Sequence, residues 1–85
     1  MHVMAVSTIA DSEKFWASLK AAYGRLPKGA NWTLAVASTD GGKGVNIIVH
    51  DSIDDVRKFF DESAGAYGRT ECFEADANNA VGLPQ

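Results

Sequence analysis

The sequence predicts an α+β domain with the element order βαββαβ. Four stretches are rich in β-branched and apolar residues, two others carry apolar residues at helical spacing, and turn or capping residues separate them. At 85 residues the chain is one domain. A chain of this size buries roughly 60–65% of its unfolded surface, so its own core is marginal. A partner chain is therefore expected to bury further surface and so stabilise the fold.

The first strand and the first helix are predicted within residues 2–26. His2–Ile9 is apolar and β-branched, as a strand is. Asp11 is the expected N-cap of the helix, because its carboxylate can accept from free backbone N–H groups. Pro27 and Gly29 supply the stop. The predicted buried stripe of this helix is Phe15, Leu19, Ala22 and Leu26.

A hairpin is predicted next. Residues 32–39 alternate large and small side chains, as a second strand does, and residues 45–51 form a third, strongly apolar strand. The glycine-rich stretch at 39–44 lies between these two strands. A phosphate-binding loop needs its glycines between a strand and a helix start, so this stretch is interpreted as a hairpin turn.

The second helix and the fourth strand complete the domain. Ser52, with Asp55 three residues later, resembles a capping box, and the helix is expected to end near residues 65–68. Residues 69–76 are predicted to form the fourth strand. The ferredoxin-like domain is thus assigned to residues 1–76, and residues 77–85 are assigned to a C-terminal tail. The buried stripe of the second helix is Ile53, Val56, Phe59 and Phe60.

This element order is that of the ferredoxin-like fold. Two right-handed crossovers place both helices on one face of a four-stranded antiparallel sheet. The helix opening Asp-Ser-Glu-Lys-Phe-Trp at 11–16 and the ending Ala-Val-Gly-Leu-Pro at 80–84 resemble an uncharacterised group of small bacterial proteins in the dimeric α/β-barrel superfamily. The resemblance implies a homodimer whose sheets pack face to face, as a dimeric α/β barrel, around an interior that sometimes holds a ligand.

Strand alternation divides the side chains between two sheet faces. Val45, Ile47 and Val49 are assigned to the helix-covered face, together with Val3, Ala5, Ser7, Ile9, Trp32, Leu34, Val36, Phe73 and Ala75. The opposite face would then mix polar and apolar side chains, as a dimer interface enclosing a pocket does. The residues expected to bind a ligand there are Met4, Thr33, Asn46, Ile48, His50 and Cys72.

A metal site is a second hypothesis for the same face. His2, His50 and Glu74 share it by alternation, and the antiparallel order brings the start of strand one beside the ends of strands three and four. Two imidazoles and a carboxylate can bind zinc, nickel or iron, or transfer protons. The alternative is structural: His2 frays with the terminus, and His50 ends its strand with a satisfied hydrogen bond.

Two functions of different class follow. The first is a homodimeric binding or assembly module with a small-molecule or metal site between the sheets. The second, suggested by the superfamily, is a cofactor-independent monooxygenase or isomerase acting on a small aromatic or polyketide-like substrate through Asn46 and His50. The catalytic tryptophans of the superfamily have no counterpart in this chain. Trp16 falls on a helix, and Trp32 falls on the helix-covered face of the sheet. Trp16 and Tyr23 are expected at a core or dimer edge.

Composition narrows the partners and the location. The net charge of −3 offers no basic surface, so neither nucleic acid nor an anionic membrane is an expected partner. Cys72 is the only cysteine, which excludes an internal disulfide and favours the role of a small buried hydrophobic residue over that of a nucleophile. With no leader-like segment and no long apolar run, the expected location is the cytoplasm. No particular cofactor is indicated.

Overall fold

The computed structural model describes residues 1–83 and has the predicted element order. The strands pair antiparallel in the order β2-β3-β1-β4, and two helices complete a ferredoxin-like α+β fold. The elements are β1 (His2–Ile9), α1 (Ser12–Ala22), a 3₁₀ turn (Tyr23–Arg25), β2 (Asn31–Ala37), β3 (Lys43–Val49), α2 (Ile53–Ala64), β4 (Gly68–Glu74) and a second 3₁₀ turn (Ala77–Asn79).

Both helices begin at the predicted caps. The Asp11 side chain accepts from the Lys14 backbone N–H, and the Ser52 side chain accepts from the Asp55 backbone N–H. These bonds satisfy donors that the first helical turn leaves free. The core fills the space between the helices and the sheet. Its largest fully buried apolar side chains are Phe15, Leu19, Ile48, Val3, Val56 and Phe60.

The element ends differ from the predicted ones by a few residues. α1 ends at Ala22, and the chain continues as a 3₁₀ turn before Pro27. β2 ends at Ala37, because Ser38 and Asp40 already belong to the hairpin turn. Within the predicted tail, residues 77–79 form a 3₁₀ turn that the Asp76 side chain caps. Pro84 and Gln85 lie outside the described residues.

The predicted faces of β3 and β4 are wrong. Directly opposed residues in an antiparallel pair share a sheet face. Ala5, on the helix-covered face, opposes Asn46 of β3 and Cys72 of β4. Every residue of those two strands that alternation had assigned to a face therefore lies on the other one: Asn46, Ile48, Thr70, Cys72 and Glu74 turn to the helix side, and Val45, Ile47, Val49 and Phe73 turn to the other side.

A register shift in β2 changes two further assignments. Trp32 opposes Ile48 and lies on the helix side as predicted, but the pairing shifts between Trp32 and Leu34. After the shift Leu34 opposes Ile47, and Val36 opposes Val45. Leu34 and Val36 therefore lie on the face away from the helices, since a bulge inserts one residue and reverses the alternation beyond it.

Candidate functional site

Asn46 is buried between the sheet and the helices. It has no exposed surface, and its Oδ1 accepts a hydrogen bond of 3.0 Å from the indole Nε1 of Trp32. Trp32 in turn stacks on Tyr23, with ring centroids 5.9 Å apart, and meets Phe59 and Phe60 edge-on. Asn46 is thus bonded to an aromatic cluster on the helix side and does not line the face on which it was predicted.

His50 joins β3 to the start of α2. Its side chain is buried, its Nε2 lies 3.0 Å from Asp55 Oδ2, and its Nδ1 lies 3.6 Å from Asp51 Oδ1. Its backbone oxygen accepts from the amino group of Met1 at 3.0 Å. His50 therefore has the satisfied hydrogen bond of the structural alternative.

The structure does not bring the three predicted metal ligands together. His2 opposes Val49 and lies away from the helices, whereas Glu74 opposes Val3 on the helix side. His2 and Glu74 both line a surface depression of about 480 Å³ at the sheet end, and His50 does not. Within residues 1–83, no group of three or more histidine, cysteine, aspartate or glutamate side chains is placed to hold a metal ion.

The remaining predicted ligand-binding residues are scattered. Met4 alone has its predicted place on the face away from the helices. Thr33 sits at the register shift, where its hydroxyl donates to the Ile47 carbonyl oxygen at 3.3 Å. Ile48 is fully buried in the core. Cys72 is also buried, and desolvation raises the pKa of its thiol, which disfavours the reactive thiolate.

The face away from the helices is far more apolar than predicted. Two rows of side chains cross it: Leu34, Ile47, Met4 and Phe73 form one row, and Val36, Val45, Val6 and Glu71 form the next. We call these eight residues, together with Val49, the open sheet face. Leu34, Val36 and Phe73, on the two edge strands, are 39%, 51% and 49% exposed, whereas Met4, Val6, Val45 and Val49 are partly exposed and Ile47 is only 5% exposed. The described chain therefore leaves the edges of this face more open than its centre.

Polar residues mark the two ends of the open sheet face. At one end Thr8 opposes Lys43 and Arg69, and the Lys43 ammonium donates to the Thr8 hydroxyl at 2.9 Å. At the other end Val49 lies between Asn31 and His2. The arrangement is an apolar band with polar margins, which is the pattern of a protein interface.

Sequence reasoning missed the extent of this band because it assigned Ile47, Val49 and Phe73 to the helix side. Apolar residues at every position from 47 to 49 are a signal for burial on both faces of a strand. With that signal, Ile47 and Ile48 would each have been assigned to a buried environment, on opposite sides of β3.

Comparisons with protein-family models, with curated proteins and with solved structures return no match. Within residues 1–83, none of the helices combines the length and the apolar character that crossing a bilayer requires.

Proposed function

We propose that the protein is a self-associating binding module in which two copies pair through the open sheet face to form a dimeric α/β barrel. One observation carries the proposal: apolar side chains from all four strands form a continuous surface on which Leu34, Val36 and Phe73 are exposed and Met4, Val6, Val45 and Val49 are partly exposed. Contiguous apolar surface of this kind marks an interaction site.

A second copy fits this surface by shape and by charge. A four-stranded sheet face is broad and gently twisted, and an identical face is a natural partner across a twofold axis. The face carries Glu71 on one side and Lys43 with Arg69 at its end. A surface with charges of both signs can complement itself, since a twofold axis can bring opposite charges together.

The size of the face sets the expected affinity. Three strands have seven residues and β1 has eight. At about 3.3 Å per residue over seven paired positions, and with four strands about 4.8 Å apart, the flat area is roughly 440 Å² per copy. Side-chain relief enlarges the accessible area, but it stays near the low end of specific interfaces, which bury about 800 Å² per partner. We therefore expect a dimer that dissociates on dilution.

Any ligand between the two sheets would be apolar. The centre of the open sheet face presents Met4, Ile47 and Phe73. Asn46 and His50, on which the metal hypothesis and the oxygenase or isomerase hypothesis depended, lie behind the sheet.

Sedimentation velocity over a concentration series tests the proposal. We expect the parent chain of 9.1 kDa to sediment as a dimer at high concentration and to dissociate on dilution. Val36→Lys and Phe73→Lys should give folded monomers, because both side chains are about half exposed in the single chain and a lysine would be buried in the interface.

The matched control is Ala17→Lys, which adds the same charge at an exposed position of α1. It should dimerise like the parent chain. A parent chain that stays monomeric at the highest concentration, or a control that dissociates as much as the two sheet variants, would exclude pairing through this face.

A further inference from the structure

A groove runs between α1 and the outer edge of β2, on the helix side of the sheet. It consists of two depressions of about 270 Å³ and 300 Å³ that share Lys20 and Ala35. Tyr23 is 60% exposed, and Lys20 is exposed at the rim. We call this feature the α1–β2 groove. The residues that line it include Trp16, Lys20, Tyr23, Trp32, Ala35 and Ala37.

Two buried N–H donors lie directly behind the groove, and neither has a hydrogen-bond partner in the described chain: the Nε1 of Trp16 and the Nδ2 of Asn46. Asn46 opposes Ala35, which lines the groove. Trp16 covers Gly44 so closely that a Cβ there would lie 2.7 Å from its Cζ2. Gly44 is the next residue of β3 on the same face as Asn46.

The two donors lie at neighbouring positions on the helix side of β3. The Oδ1 of Asn46 accepts from Trp32, which fixes the orientation of the amide and turns Nδ2 away from Trp32. Trp32 opposes Ile48, on one side of Asn46 along β3, and Gly44 with Trp16 above it lies on the other side. The Nδ2 donor therefore points away from Trp32, and the Trp16 indole lies above the next same-face position of β3.

Asn46 is not needed to satisfy Trp32. The Trp32 Nε1 also donates to the Leu34 carbonyl oxygen at 3.1 Å. An apolar side chain at position 46 would thus remove a buried unpaired donor and leave Trp32 with a partner. Because buried donors without acceptors destabilise a fold, an asparagine at this position calls for an acceptor from outside the chain, either a water or a ligand.

We propose that the α1–β2 groove binds a small carboxylate with a flat apolar body. A carboxylate oxygen accepts from Trp16 Nε1 and Asn46 Nδ2 once the Trp16 ring turns outward, and the Lys20 ammonium supplies the opposite charge. The aromatic rings of Trp32 and Tyr23 contact the flat body. Leu34 and Val36 border both the groove and the open sheet face. The two donors and Lys20 nevertheless belong to a single chain, so either proposal can fail without the other.

Two-dimensional ¹H–¹⁵N spectra of the indole N–H groups test this site, with 2-naphthoate as the probe and 2-naphthamide as its neutral match. We expect 2-naphthoate to shift the Trp16 indole signal in a saturable way and to bind at least about tenfold more tightly than the amide. Absence of a saturable shift, or equal binding of the amide, would overturn the proposal. So would a Trp16 indole bonded to a bound water that 2-naphthoate does not displace.

Three variants separate the site from the fold. Asn46→Val should bind 2-naphthoate at least about tenfold more weakly while its urea midpoint stays at or above that of the parent chain. Lys20→Gln should also weaken binding, whereas Lys14→Gln, which changes an exposed lysine of α1 outside the groove, should not. Parent-like binding by both Asn46→Val and Lys20→Gln would contradict the assignment.

Discussion

At the scale of single residues, buried polar side chains mark which face of the sheet turns to the helices. Strand alternation placed Asn46 and His50 on the face away from the helices, in a pocket between two copies. Each has a partner that the sequence pattern does not reveal: Trp32 donates to Asn46, and Asp55 lies at hydrogen-bond distance from His50. The partners lie on other elements or beyond the strand, so only the folded chain brings them together.

The His50–Asp55 contact gives a prediction for stability. Asp55→Ala leaves the buried Nε2 of His50 without that partner and should lower the free energy of unfolding by about 1 kcal/mol more than Asp54→Ala does. Asp54 is the matched control because it lies in the same first turn of α2 and pairs with Arg57 on the surface. Urea unfolding measures both variants, and equal losses would show that the His50 contact contributes nothing.

At the scale of elements, the sequence predicts which helices and strands form, and in what order, better than it predicts which face of each strand turns to the helices. β1 has its predicted ends, and α2 begins after its predicted cap. The faces of β3 could not be assigned from the sequence, because Val45, Ile47 and Val49 on one face are as apolar as the core residue Ile48 on the other. Alternation identifies a face only where one side is polar, and the register shift at Thr33 leaves no clear trace in the sequence.

The hairpin turn between β2 and β3 gives a prediction for pH. The Gly42 backbone N–H at 2.9 Å and the Ser38 hydroxyl at 2.7 Å donate to Asp40 and hold the pKa of its carboxyl below the ordinary value of 3.8. A carboxyl with a lowered folded-state pKa stabilises the fold above its unfolded pKa. That contribution is lost as the pH falls through the folded value.

NMR titration of the Asp40 carboxyl measures this effect. Ser38→Ala removes one donor and should raise the Asp40 pKa toward 3.8, whereas Ser63→Ala, on α2, should leave it unchanged. An Asp40 pKa that does not respond to Ser38→Ala would show that the hydroxyl does not stabilise the carboxylate.

At the scale of the whole molecule, the sheet has one face covered by helices and one face that is apolar and exposed. The helix side provides the core and, behind the α1–β2 groove, two unpaired donors. The open sheet face provides a surface that a second copy can cover. Because a chain of this size has a marginal core, we expect burial of that face in the proposed dimer to stabilise the fold.

Isotope-filtered NOE spectra on a mixture of labelled and unlabelled chains test the central claim most directly. Pairing through the open sheet face predicts contacts between chains at the methyl groups of Met4, Val45 and Ile47, and none at the core methyl group of Val56 on α2. Spectra without contacts between chains at concentrations where the protein sediments as a dimer, or with contacts confined to the helices, would contradict it.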